Sequence, residues 1–161
     1  MGANQLSVLL WEERELLELL QFKLEEEQLL LVSGKSRWIS LATREVEKVL
    51  EKVHAAGLAR SIEASNVATA WGCPEDAPLS QIIESAPEGP WREILTAHLT
   101  ALRTITGDIS QLREANDQYL RAAYRSSQET LATLGNDTSL YGPSGASAAH
   151  STSAYIIDTK L

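Results

Sequence analysis

Cysteine is almost missing from this 161-residue chain: Cys73 stands alone, so neither an intrachain disulfide nor a cysteine-based zinc site can form. Phenylalanine also occurs once and proline five times. Leucine carries much of the apolar content instead, which favours helix over sheet because its unbranched β-carbon loses little rotamer freedom there. Basic residues are outnumbered, with 14 Lys and Arg against 22 Asp and Glu and a net charge of −8. No basic patch is present to neutralise phosphates, so nucleic-acid binding is excluded, and an anionic membrane surface is a poor partner for the same reason. No run approaches the roughly 18–20 apolar residues of a membrane span, and the chain start shows no basic region followed by an apolar stretch. A cytoplasmic location is the expectation. With 43% hydrophobic and 22% charged residues, the chain has the balance of a folded domain and enough length for a core.

What is present is helical periodicity. From about Gln5 to Val32, Leu6, Leu10, Leu17, Leu20, Leu24 and Leu31 recur at steps of three, four and seven, with a gap at Glu13 and with Leu9 and Leu16 widening the stripe. Neither proline nor glycine interrupts it, so an amphipathic helix is predicted. Ser33-Gly34 ends it, Gly34 supplying a left-handed cap. Ser36 is placed to cap a second helix, whose seam is Ile39, Ala42, Val46, Val49, Val53 and Ala56, with Glu45 set to pair with Lys48 and Lys52. That helix weakens at Gly57 and continues to about Ala70. Trp71-Gly72-Cys73-Pro74 breaks it, and Pro78, Pro87 and Pro90 mark a connector. Within the connector, Asp76 is positioned to cap a short helix from Pro78 to about Ser85.

The last helix starts at Pro90 and has the cleanest pattern. Trp91, Leu95, His98, Leu102, Ile105, Ile109, Leu112, Asn116, Tyr119 and Ala123 alternate by four and three without a slip, a 3.5-residue repeat of coiled-coil type. Gly107 costs it about 1 kcal/mol relative to alanine. Leu131 and Leu134 extend the apolar set, and Gly135-Asn136 is read as the stop. Beyond lies a segment rich in Gly, Ser, Thr and Ala, read as a flexible tail with Leu140-Tyr141 and Tyr155-Ile156-Ile157 as two short apolar clusters. Narrow-seamed helices must pack together to be stable, and short links favour antiparallel neighbours. The fold class is therefore all-α: an elongated antiparallel bundle of three long helices plus one short helix over residues 1–134, with a flexible C-terminal tail over 135–161.

Enzyme chemistry finds little support. Gly34-Lys35-Ser36 resembles the end of a phosphate-binding loop, but the position five earlier is Leu29 rather than glycine, and a helix precedes it instead of a strand. Glu51-Lys52-Val53-His54 has the spacing of a di-iron ligand pair, yet neither His98 nor His150 has a glutamate three residues before it. His98 and Asn116 occupy seam positions, where polar residues usually set register. Cys73 has acidic neighbours, Glu75 and Asp76, which do not activate a thiol. The tryptophans Trp11, Trp38, Trp71 and Trp91 read as anchors at helix starts and bundle ends. No cofactor or metal is expected.

The order of elements resembles the FlgN-type flagellar export chaperones. The run Leu9-Leu10-Trp11-Glu12-Glu13-Arg14-Glu15-Leu16-Leu17-Glu18-Leu19-Leu20 is similar to that family's first helix. Leu112-Arg113-Glu114-Ala115-Asn116 is similar to its L-x-x-x-N stretch, and Tyr141-Gly142-Pro143-Ser144-Gly145 to its Tyr-Gly-x-x-Gly element. The resemblance implies a chaperone, not an enzyme. Its partners would be the C-terminal helices of hook-associated (hook–filament junction) proteins and the export gate of the flagellar type III apparatus. Residues Tyr141, Gly142 and Gly145 would serve gate docking. The client surface expected from the residues themselves is late in the last helix. There Tyr119, Leu120, Ala123, Tyr124, Leu131 and Leu134 make a band too wide for one seam, with Leu112 one step earlier. A structural or adaptor coiled coil without a secretion role, such as a homodimer, is the competing reading of the same seam.

Overall fold

A computed structural model describes the backbone of residues 2–140 and the side chains of residues 2–136. Four helices account for the described elements: α1 (Gly2–Val32), α2 (Ser36–Ala70), α3 (Leu79–Glu84) and α4 (Trp91–Leu140). No strand occurs among the described residues, so the chain is all-α. It divides into two compact units, Met1–Ala123 and Tyr124–Leu161.

In the first unit the predicted leucine stripe of α1 is the core. Leu6, Leu10, Leu17, Leu20, Leu24 and Leu31 are all buried, and Leu9 and Leu16 are half-buried. Leu6 and Leu10 meet Val67 and Ala68 of α2, Ile82 and Ile83 of α3, and Leu95 of α4. Further along, Leu17, Leu20 and Leu24 meet Val46 and Val49 of α2 and Ile105 and Ile109 of α4. Thus α1 and α2 run antiparallel, and α4 returns parallel to α1, as an up-down-up bundle requires. Each buried leucine contributes roughly 1.5–3 kcal/mol, so the stripe is the main source of cohesion.

Both ends of the α1–α2 hairpin are sealed by the same device. Gly34 (φ 69°) follows α1, with Lys35 N–H donating to Leu30 O at 3.2 Å and Gly34 N–H to Leu31 O at 3.3 Å. Gly72 (φ 77°) follows α2, with Cys73 N–H donating to Ala68 O at 2.8 Å and Gly72 N–H to Thr69 O at 3.2 Å. These are Schellman closures, which satisfy otherwise orphaned carbonyls. Cys73 is half-buried and packs on the core there.

Several local expectations are corrected. Ser36 is not the cap of α2: the cap position is Lys35, with no side-chain hydrogen bond, because the Schellman turn carries the chain straight from α1 into α2. Asp76 does not cap α3, whose cap position is Pro78; Ala77 N–H donates to Pro74 O instead, closing a turn. Glu45 turns to Lys23 of α1 at 2.8 Å rather than to the lysines of its own helix. Gly135-Asn136 does not stop α4, which continues to Leu140; one glycine costs a helix about 1 kcal/mol and does not by itself end it.

Polar residues set the register of the long helices. Glu13 fills the gap in the leucine stripe and is buried, accepting a hydrogen bond from Arg60 of α2. Gly57 of α2 faces that carboxylate: a β-carbon there would lie 3.4 Å from Glu13 Oε1, an ordinary van der Waals contact. His98 of α4 lies 3.0 Å from Ser7 Oγ of α1 and edge-on to Trp11, with ring centroids 6.3 Å apart. Burial, with Arg14 nearby, pushes the His98 pKa below its ordinary value. Asn116 donates to Leu24 O at 2.9 Å and to Glu27 Oε2 at 3.0 Å. His98 and Asn116 thus pin α4 to α1 near both ends of the shared seam, consistent with the register role that their seam positions indicate.

Candidate functional site

The seam of α4 has a built-in end. Asn116 lies against Leu24 and Glu27 of α1, and α1 stops at Val32. In a parallel pairing that leaves α4 less than two turns of partner beyond Asn116. The burial record follows. Leu95, Ile105, Ile109 and Asn116 are buried, Leu112 and Leu120 half-buried, and Tyr119 and Ala123 exposed, although Tyr119 and Ala123 keep perfect heptad spacing. Among the expected client residues of this unit, the structure therefore brings Leu112 into the second core cluster and leaves Tyr119, Leu120 and Ala123 where the seam runs out.

In the second unit, Tyr124, Leu131 and Leu134 are 67%, 69% and 57% exposed. Tyr124 accepts a hydrogen bond from Gln128 at 2.9 Å. Thr130 and Thr133 donate back to Ser126 O and Glu129 O, both at 2.9 Å. Such back-bonding slightly weakens a helix, so apolar exposure and a softened backbone coincide in this stretch.

Sequence reasoning missed a second apolar surface, at the α1–α2 turn. A cleft of about 360 Å³ is lined by Leu29, Leu30, Trp38, Leu41 and Ala42, with Glu26 and Glu45 at its edge. Lys23 joins those two carboxylates, at 2.7 Å to Glu26 and 2.8 Å to Glu45. The hydrogen bonds to Glu26 and then Glu45 raise the Lys23 pKa, and Lys23 in turn holds Glu45 below the usual carboxylate range. Trp38 is thus a cleft wall, with the Arg37 guanidinium 4.4 Å over its ring. Trp11, too, is exposed in mid-helix; Trp71 packs on the core at the end of α2 as anticipated. The legible signal was on the outer face of α1, where Val8, Phe22 and Leu29, all exposed, stand seven or fourteen residues apart.

Two chemical motifs resolve into ordinary structure. Gly34-Lys35-Ser36 is the inter-helix turn, and Glu51 and His54 are both exposed on α2. Among the described residues no cluster of three or more His, Cys, Asp or Glu is arranged to hold a metal. No described helix is long and apolar enough to cross a membrane.

A family model described as FlgN protein matches residues 1–149. The chain belongs to the FlgN family. It is therefore a chaperone of flagellar protein export in general terms, and the helical frame described above is the frame of a FlgN protein. The match takes in the opening Leu/Glu helix, the stretch ending at Asn116, and the Tyr141–Gly145 element. Tyr141, Gly142 and Gly145, expected to dock at the gate, lie outside the described residues. No curated protein and no solved structure matches this FlgN chain.

Proposed function

We propose that this FlgN-family chain is a cytoplasmic export chaperone for hook-associated junction proteins. It binds their C-terminal helices, keeps them from aggregating, and delivers them to the export gate of the type III apparatus. The observation that carries this reading is a heptad seam that continues through Tyr119 and Ala123, both of which are exposed. An unfinished seam accepts a guest helix that completes the bundle, its apolar face laid into the groove. The client surface is Leu112, Tyr119, Leu120 and Ala123 in the first unit, with Tyr124, Leu131 and Leu134 in the second. No step makes or breaks a covalent bond, so the activity asked of these residues is binding alone.

The test is a binding titration with the C-terminal segment of a junction protein from the same cell. Tyr124→Asp with Leu131→Asp places two charges on exposed apolar positions and should weaken binding at least about tenfold, each buried charge costing well over 1 kcal/mol. Unchanged affinity in a variant that remains helical overturns the assignment. Tyr141→Ala is expected to leave client binding intact while reducing motility; normal motility overturns the gate-docking role. Light scattering decides the adaptor reading, since a chaperone forms a one-to-one complex with the client segment, whereas a self-assembling coiled coil stays a homodimer and ignores it.

A further inference from the structure

The α2–α4 side of the first unit holds a cavity of about 270 Å³ whose chemistry goes beyond a greasy groove. Leu24, Val46, Leu50 and Leu120 contribute apolar wall. Asn116, only 2% exposed, lines the same cavity. Its Nδ2 is fully used, donating to Leu24 O and Glu27 Oε2, while its Oδ1 is buried without a hydrogen-bond partner. An orphaned buried amide oxygen costs about 1–3 kcal/mol. Beside it lies Glu27, 4% exposed, which receives only neutral donors, Thr43 Oγ1 at 2.7 Å and Asn116 Nδ2 at 3.0 Å. Among the described residues no cation stands within ion-pair distance of Glu27. At the cavity edge, Glu47 and Asp117 outnumber Arg113, so the site as a whole is acidic.

We infer that this cavity is a seat for a lysine or arginine side chain, presented by the guest helix from within its apolar stripe. An ammonium or guanidinium is the group that supplies both missing interactions, a hydrogen bond to Asn116 Oδ1 and a counter-charge to Glu27. Its aliphatic stem lies along the leucine and valine walls while the charged head reaches the acceptors. Leu120 lines the cavity and lies beside the unfinished seam, so a helix on that seam would lie next to the seat. The inference rests on the client-binding reading above and adds to it a rule of selection: a stripe with one basic residue at the level of Asn116 is accepted, and a purely apolar stripe is discriminated against, because it leaves Asn116 Oδ1 without a hydrogen bond and Glu27 without a counter-charge.

The test uses the full chain and two helical peptides with the same leucine stripe, differing only in a central lysine against its uncharged isostere norleucine. Fluorescence anisotropy should show the lysine peptide binding at least about tenfold tighter, as expected for a hydrogen-bonded charge. Glu27→Gln should abolish that preference, and Arg113→Ala should keep or enlarge it. Equal binding of the two peptides, binding of neither, or a preference that survives Glu27→Gln overturns the inference. So does loss of the preference in Arg113→Ala. Should Glu27→Gln fail to remain helical by circular dichroism, the exposed pair Glu47→Gln and Asp117→Asn replaces it. Together they should lower the lysine preference about two- to threefold by removing edge charge, and no change overturns the inference. A parallel titration with a junction-protein segment separates the two proposals. Lysine preference without binding of that segment keeps the seat and removes the client assignment; binding of the segment without lysine preference does the reverse.

Discussion

Arg60→Met is the sharpest probe of how the α1–α2 pair is held. Glu13 occupies a position in the leucine stripe and is buried, and its partner Arg60 comes from the other helix, with side-chain exposures of 10% and 29%. Methionine preserves length and packing but leaves the carboxylate without its cation. Removing one partner of a fully buried pair costs about 3–5 kcal/mol. The partial exposure of Arg60 admits some water, so about 2–3 kcal/mol is expected here. For a chain of this size the corresponding fall in Tm is about 4–12 °C. The reverse variant, Glu13→Leu, should cost less than about 1 kcal/mol, because the Arg60 head can turn to solvent along its own stem. The double variant Glu13→Leu with Arg60→Met should recover the loss or exceed wild type, since leucine completes the stripe from Leu6 to Leu24 and well-packed apolar replacements of buried pairs are often stabilising. Urea unfolding followed by circular dichroism gives all four corners of the cycle. A shift of less than about 0.5 kcal/mol in Arg60→Met, or a double variant no better than Arg60→Met alone, would show that the buried carboxylate does not depend on its cation.

Two further outcomes follow from single side chains. The His98 pKa is depressed by burial and by Arg14, so the unfolded chain takes up the proton first. The contribution of neutral His98 is therefore fully present above the ordinary value of 6.5 and is lost as pH falls from there through the folded-state pKa. Urea midpoints between neutral and mildly acidic pH should drop more in the wild type than in His98→Gln, and parallel profiles contradict the account. Gly107 lies inside α4 with nothing within 4 Å of an added β-carbon, so Gly107→Ala should raise stability by about 1 kcal/mol. A thermal melt with no gain would show that this glycine is required by something other than its helix.

Much of the bundle was readable because its information is local. The stripe of α1, the seam of α4 through Asn116, the glycine closure at Gly34 and the break at Trp71-Gly72-Cys73-Pro74 all depend on residues within a few turns of one another. The places where reading failed are those where a partner comes from far along the chain. Glu45 hydrogen-bonds Lys23, which is 22 residues away, and not Lys48 or Lys52, one and two turns along its own helix. Trp38 looked like an anchor and became a cleft wall, because Leu29 and Leu30 face it from the preceding helix. Gly135 looked like a stop because glycine is common at helix ends, yet the helix passes through it.

By itself, then, the amino-acid order determined the helices, their apolar faces and the family to which they belong, since spacing and composition act within single elements. Only the tertiary structure decided what the polar seam residues do. Glu13 and Glu27 are an interruption in a leucine stripe until α2 and α4 bring Arg60, Thr43 and Asn116 against them. It also decided where the α4 seam stops being buried, with Asn116 buried and Tyr119 exposed although both keep the repeat. Burial is a property of pairs of elements, and a periodic pattern can announce that a face seeks cover without saying which part of it the chain itself will supply.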